Sequence, residues 1–271
     1  MKISSYFTGH SAATVIMEFY SADSNRQRKL ANTSANTQVV HTTSRVSPWI
    51  GPLAYILGRH FLLPFFFDNI KIVGQENIPQ SGPIILAPTH RSRWDALLVP
   101  YVAMGCRMAK DLRFMVTVTE CQGLQGWFVQ RLGGFPVDPK RPSITTLRHG
   151  VDLLLQRKTL VIFPEGDIYR DGEVHPLKPG IGRLALSAEF SQPGLGVKII
   201  PISINYSQSY PTWGTDVMIQ IAPSIKVADY TNGCMKQDAQ RLTGDLTKVL
   251  QQLSHQESGI TTHAFAEIPN S

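Results

Sequence analysis

Short apolar runs separated by stretches of helical periodicity organise the middle of this chain. Apolar runs at 70–73, 83–87, 114–118, 135–137, 159–163, 198–204 and 217–221 read as strands. Spacing near 3.6 residues predicts helices over 95–103, 122–132, 143–156 and 180–189, the last with Ile181, Leu184, Ala185 and Ala188 on one face. Strands this apolar are covered on both sides, so the pattern predicts an α/β fold, a mixed, largely parallel sheet covered by helices. A later stripe through Met235, Ala239, Leu242, Leu246, Val249, Leu250 and Leu253 reads as a further core-packing helix, followed by a polar tail over 255–271.

The beginning of the chain follows a different rule. Residues 1–45 are rich in Ser, Thr, Asn and Ala with no sustained apolar period after Tyr20, and read as a flexible extension. They lack the apolar core of a secretory signal, and Glu18 and Asp23 count against a transit peptide. Residues 46–68 are strongly apolar, ending in Phe61-Leu62-Leu63-Pro64-Phe65-Phe66-Phe67, but Arg59, His60, Pro52 and Pro64 interrupt them. A bilayer span needs about 20 consecutive apolar residues, so this stretch predicts a hydrophobic interfacial segment. A hydrophobic arm folded over the protein's own core is the alternative. Residues 69–254 form the α/β domain on this reading.

Composition narrows the class. The chain has 271 residues, 42% hydrophobic and 17% charged, enough for one well-packed domain with added terminal segments. Cys106, Cys121 and Cys234 are odd in number and far apart, which argues against a disulfide framework and a zinc site and suits a reducing compartment. The net charge of +6 is compatible with anionic lipid, nucleic acid or an acidic carrier protein, and no nucleic-acid motif accompanies it.

Four motifs carry the chemistry. His90 and Asp95 stand five residues apart just after a predicted buried strand, the spacing of an imidazole whose tautomer a carboxylate fixes. Gly134-Phe135-Pro136-Val137-Asp138 follows. Then Phe163-Pro164-Glu165-Gly166 places Glu165 at a strand tip between a residue that fixes a backbone angle and one that permits an unusual angle. Ile200-Pro201-Ile202 comes last. Ser92 lies near His90, but no Gly-x-Ser-x-Gly elbow occurs. Gly180-Ile-Gly182 follows Lys178-Pro179 rather than a strand, so a dinucleotide fingerprint is rejected.

In this order the four motifs resemble the glycerolipid acyltransferase family, the lysophosphatidic acid acyltransferases, over roughly residues 70–225. The resemblance implies an acyltransferase domain over 69–254, with His90 as general base oriented by Asp95. It implies acceptor binding by Glu165 and Gly166, and no cofactor or metal. The acyl donor would be acyl-CoA or acyl carrier protein, the acceptor a lysophospholipid, and the location a membrane surface on its cytoplasmic face.

Departures bear on the acceptor. Where the family carries an arginine after the acidic residue of the second motif, this chain has Pro139, with Lys140 and Arg141 as shifted cations. The threonine and arginine expected after the glutamate are Asp167 and Ile168, with Arg170 and Lys178 as the nearest basic residues. Another lysophospholipid or an alcohol is therefore the alternative acceptor. A noncatalytic lipid-binding or membrane-remodelling protein with the same fold is the alternative outside enzymes.

Overall fold

The computed structural model describes residues 56–103, 112–121, 123–138 and 142–264. The extension over 1–45, the start of the interfacial segment, Lys140 and Arg141 lie outside the described residues.

The seven predicted strands and a short eighth that the pattern did not predict assemble into one eight-stranded sheet. In chain order they are β1 (Phe67–Val73), β2 (Ile84–Pro88), β3 (Leu112–Thr117), β4 (Gly134–Val137), β5 (Thr159–Val161), β6 (Lys198–Tyr206), β7 (Thr215–Ile221) and β8 (Ile225–Lys226). Their spatial order is β1-β7-β6-β2-β5-β3-β4, with β8 paired to β6. All pairings are parallel except β6 with β7 and β6 with β8. This is the mixed, largely parallel sheet that the apolar pattern predicts.

Alternation along the strands builds two cores. Ile85 and Ala87 of β2 and Leu160 of β5 face one side, where they meet Val151, Leu154, Leu184 and Leu246. Ile84 and Leu86 face the other side with Val161, Ile200 and Ile219, and are covered by Leu98, Val99 and Val102. The covering helices are α2 (Asp95–Ala103), α4 (Ile144–Leu155), α5 (Gly180–Ser191) and α6 (Met235–Ala264), with α3 (Gly123–Arg131) between β3 and β4. The polar stretch from His255 continues α6 to Ala264 instead of ending it.

The described part of the apolar segment before β1, from Ile56 onward, is helical. It is π-type over Gly58–Leu62 and α-helical over Leu63–Phe66 (α1), with Pro64 in the first turn where its missing N–H leaves no partner wanting. The sheet begins at Phe67. Among the described residues no helix is long and apolar enough to cross a membrane.

Because β2, β5 and β6 are parallel neighbours, whatever follows their C-terminal ends emerges at one edge of the sheet. Thr89 fastens that edge. Its N–H donates to Ile202 O at 2.9 Å, and its hydroxyl accepts from Ile204 N at 2.9 Å. At the far end of β1 the chain turns through Gly74 with φ +80, and an added Cβ would lie 2.2 Å from Ile221 O, the carbonyl that Asn77 Nδ2 reaches at 2.8 Å. Gly74→Ala is therefore expected to lower stability by roughly 1–3 kcal/mol, read as a shift in denaturant midpoint.

Candidate active site

His90 leaves the end of β2 and Asp95 opens α2, so the tight turn between them folds the aspartate back over its own approach. Asp95 Oδ2 accepts from His90 Nδ1 at 2.9 Å, from Arg91 N at 2.6 Å and from Ser92 N at 2.8 Å. Its second oxygen accepts from the Tyr206 hydroxyl at 2.5 Å. The carboxylate is fully buried, whereas the imidazole is 19% exposed. A buried carboxylate unsatisfied by water must collect such donors or give up its charge.

The consequence for His90 is a fixed tautomer. Asp95 offers only acceptors, so the shared proton sits on Nδ1 and the Nε2 lone pair is left without a hydrogen-bond partner among the described residues. The Phe163 ring stacks on the imidazole, 4.0 Å between centroids and 24° between planes, and restrains its rotation. Burial, then the Asp95 charge, pushes the Tyr206 phenol far above its ordinary value, so it stays a donor.

Glu165 is 1% exposed. Its Oε2 accepts from His90 N at 2.9 Å and its Oε1 from His175 N at 2.9 Å. Arg91 Nη1 bridges both oxygens at 3.1 Å. Internal donors hold both oxygens of the carboxylate that the family resemblance assigns to the acceptor, and it joins the His90 turn to the strand tip. Arg91 is buried with it, and its Nε and Nη2 find no partner among the described residues, so Glu165 alone offsets the guanidinium.

The loop from Gly166 to Lys178 folds against this centre. Tyr169 N donates to His90 O at 2.9 Å, and Lys178 N to Pro164 O at 2.7 Å. Gly166 adopts φ +76, and an added Cβ there would press on the Lys178 side chain at 3.1 Å. The His175 ring stacks on Tyr169 and its Nε2 bonds Asp171 Oδ2 at 2.6 Å, holding the Asp171 carboxyl below its usual range. Arg170 lies over the Tyr210 ring at 4.9 Å. No hydrogen bond or ion pair joins Arg170 or Lys178 to His90, Asp95 or Glu165, so the structure brings together His90, Asp95, Glu165 and Gly166 and leaves those two cations at the loop surface.

Sequence reasoning missed Arg91, Tyr206, Phe163 and Tyr169. Tyr206 had one available signal, its position at the end of a strand parallel to β2. Among the described residues no group of three His, Cys, Asp or Glu is placed to hold a metal ion.

Comparison with known proteins places this geometry in context. The family model described as Acyltransferase matches residues 69–205, which include every residue of the His90–Asp95–Glu165 cluster except Tyr206. Glycerol-3-phosphate acyltransferase 1, mitochondrial, of Mus musculus is 30% identical over 163 residues, 53% of this chain and 19% of that protein. The 1-acyl-sn-glycerol-3-phosphate acyltransferase of Bacillus subtilis (strain 168) is 28% identical over 119 residues, 43% of this chain and 56% of that protein. The chain thus spans about a fifth of the mitochondrial relatives' length and about half of the bacterial one's. The crystal structure of the 1-acyl-sn-glycerophosphate (LPA) acyltransferase PlsC from Thermotoga maritima shares the fold, with TM-score 0.59 and 17% identity over 91% of this chain and 93% of that one.

Neutralising the buried glutamate should strand Arg91 as an uncompensated charge. Glu165→Gln is expected to destabilise the fold by about 3–5 kcal/mol in chemical denaturation, much more than an acceptor-contacting surface carboxylate would.

Proposed function

The chain belongs to the Acyltransferase family, and from that premise we propose that it transfers a fatty acyl group from a thioester donor to lysophosphatidic acid, forming phosphatidic acid at a membrane surface. The observation that carries this reading is the His90 imidazole, held through Nδ1 by a buried carboxylate with Nε2 unpartnered. The names of the relatives support an acceptor of the glycerol phosphate class.

The steps balance without a cofactor. His90 Nε2 takes the proton from the acceptor hydroxyl as its oxygen attacks the thioester carbonyl carbon. Asp95 stabilises the imidazolium that forms, with Tyr206 sharing the carboxylate's charge. Collapse of the tetrahedral intermediate breaks the carbon–sulfur bond, and the imidazolium returns the proton to the departing thiolate of acyl-CoA or acyl carrier protein. No covalent enzyme intermediate is required. Glu165 fixes the backbone of His90.

Pro139 and Ile168 favour a second reading within the same chemistry, transfer to another lysophospholipid or to an alcohol, because the arginines expected at those places are absent. Arginine gives a phosphate a bidentate fork, so its loss weakens phosphate selection more than its charge alone suggests.

Two measurements check the mechanism. His90→Ala should lower acyl transfer by about 10²–10⁴-fold in mixed micelles with labelled acyl-CoA or acyl carrier protein and a panel of lysolipids. Unchanged transfer would exclude His90 as the base, and transfer confined to other acceptors would favour the second reading. Tyr206→Phe should remove about 1.5–3 kcal/mol of stability. The loss is read as a shift in the midpoint of chemical denaturation.

A further inference from the structure

Two chain segments far apart in sequence meet beside the active turn and leave a cluster of aromatic rings facing outward. On the α1 segment Phe61 is 66% and Phe65 68% exposed; on the turn between β6 and β7 Tyr210 is 71% and Trp213 61% exposed. Phe65 and Trp213 touch edge to face, 4.2 Å between centroids. The turn is tied down, since Gly214 N donates to Phe66 O at 2.9 Å and Thr212 N to Thr215 Oγ1 at 2.9 Å. These rings are therefore presented on a fixed platform, and large aromatics held exposed in contact with one another mark an interaction surface.

Charge identifies the partner. Residues 56–66 and 207–214 contain no acidic residue, and their basic side chains are Arg59 and His60. Arg170 adds a third basic group where its guanidinium lies over Tyr210. The acidic residues that follow these segments, Asp68 and Asp216, already belong to β1 and β7. Exposed Trp, Tyr and Phe with basic neighbours suit the headgroup and upper acyl region of an anionic leaflet.

We propose that the β6–β7 turn is a membrane-contacting element in its own right, with Trp213 inserting into the lipid interface together with Phe65, so that the bilayer is gripped by a composite surface and not by the N-terminal apolar segment alone. A line of rings runs inward from it: Phe66 lies 6.1 Å from Trp213 and stacks on Trp94 at 4.2 Å, and Trp94 directly precedes Asp95. Docking on this face sets the His90 turn at the lipid surface. The proposal rests on the lipid-acceptor reading only for its purpose; the binding itself is independent of turnover.

The test uses the full chain with vesicles of phosphatidylcholine alone and of phosphatidylcholine and phosphatidylglycerol in equal parts. Cosedimentation should be stronger on the anionic vesicles, and Trp213→Ser should weaken it about tenfold, equivalent to about 1.4 kcal/mol, with Phe65→Ser giving a similar loss. Acyl transfer to a short-chain, water-soluble lysolipid should be unaffected by Trp213→Ser, while transfer to vesicle-borne lysolipid falls. Undiminished vesicle binding by Trp213→Ser would overturn the proposal. So would a Trp213-dependent dimer in light scattering with no vesicle binding, which would assign the face to a second copy. If the wild-type chain binds vesicles through Trp213 yet transfers no acyl group to any acceptor, the surface stands and the catalytic reading fails.

Discussion

Two buried carboxylates pin three successive backbone amides, and the active end of the sheet is arranged around them. Glu165 accepts from the N–H of His90, and Asp95 from those of Arg91 and Ser92. One carboxylate arrives from the tip of β5 and the other from the start of α2, so the turn between them is clamped from both sides. In a desolvated site each such bond to a charged acceptor is worth more than its counterpart in water, and losing one is correspondingly costly. The imidazole inherits that rigidity. With Asp95 at Nδ1, Phe163 against its face and its own backbone fixed, His90 has one orientation in which to present Nε2.

The packing below explains why this clamp forms where it does. β2 is buried on both faces; β5 ends opposite Leu86, while β6 runs on from Ile202, the partner of Pro88, to Tyr206. Thr89 continues the β2–β6 contact one residue beyond the strand through its hydroxyl, in place of a side chain that would point into the site. Tyr206, at the end of β6, then reaches the outer oxygen of Asp95. His90 follows the end of β2, Glu165 lies in the loop after β5 and Tyr206 ends β6, so the sheet brings all three to one edge, where Asp95 opens α2.

The strands and helices were legible because apolar periodicity reports burial, and burial is what this sheet demands on both faces. His90 and Asp95 were legible because their contact is local, five residues apart. Glu165 was legible at its strand tip, but the donors that hold it, Arg91 and two backbone amides, show only in the three-dimensional arrangement. Tyr206 was harder to find, since its bond to Asp95 spans 111 positions and its place at the end of a strand is the one signal it leaves. The strand expected through Phe163 ends at Val161, because the chain there leaves the ladder to turn Phe163 onto the imidazole and Glu165 inward.

The claim on which everything turns is the tautomer of His90. Nitrogen-15 NMR of histidine-labelled protein, with His90→Gln identifying the resonances, reads it directly near neutral pH. A protonated Nδ1 and an unprotonated Nε2 are the predicted result. The reverse, a proton on Nε2 with Nδ1 bare against the Asp95 carboxylate, would contradict the account, because the side facing substrate would then hold a donor where the chemistry needs a base.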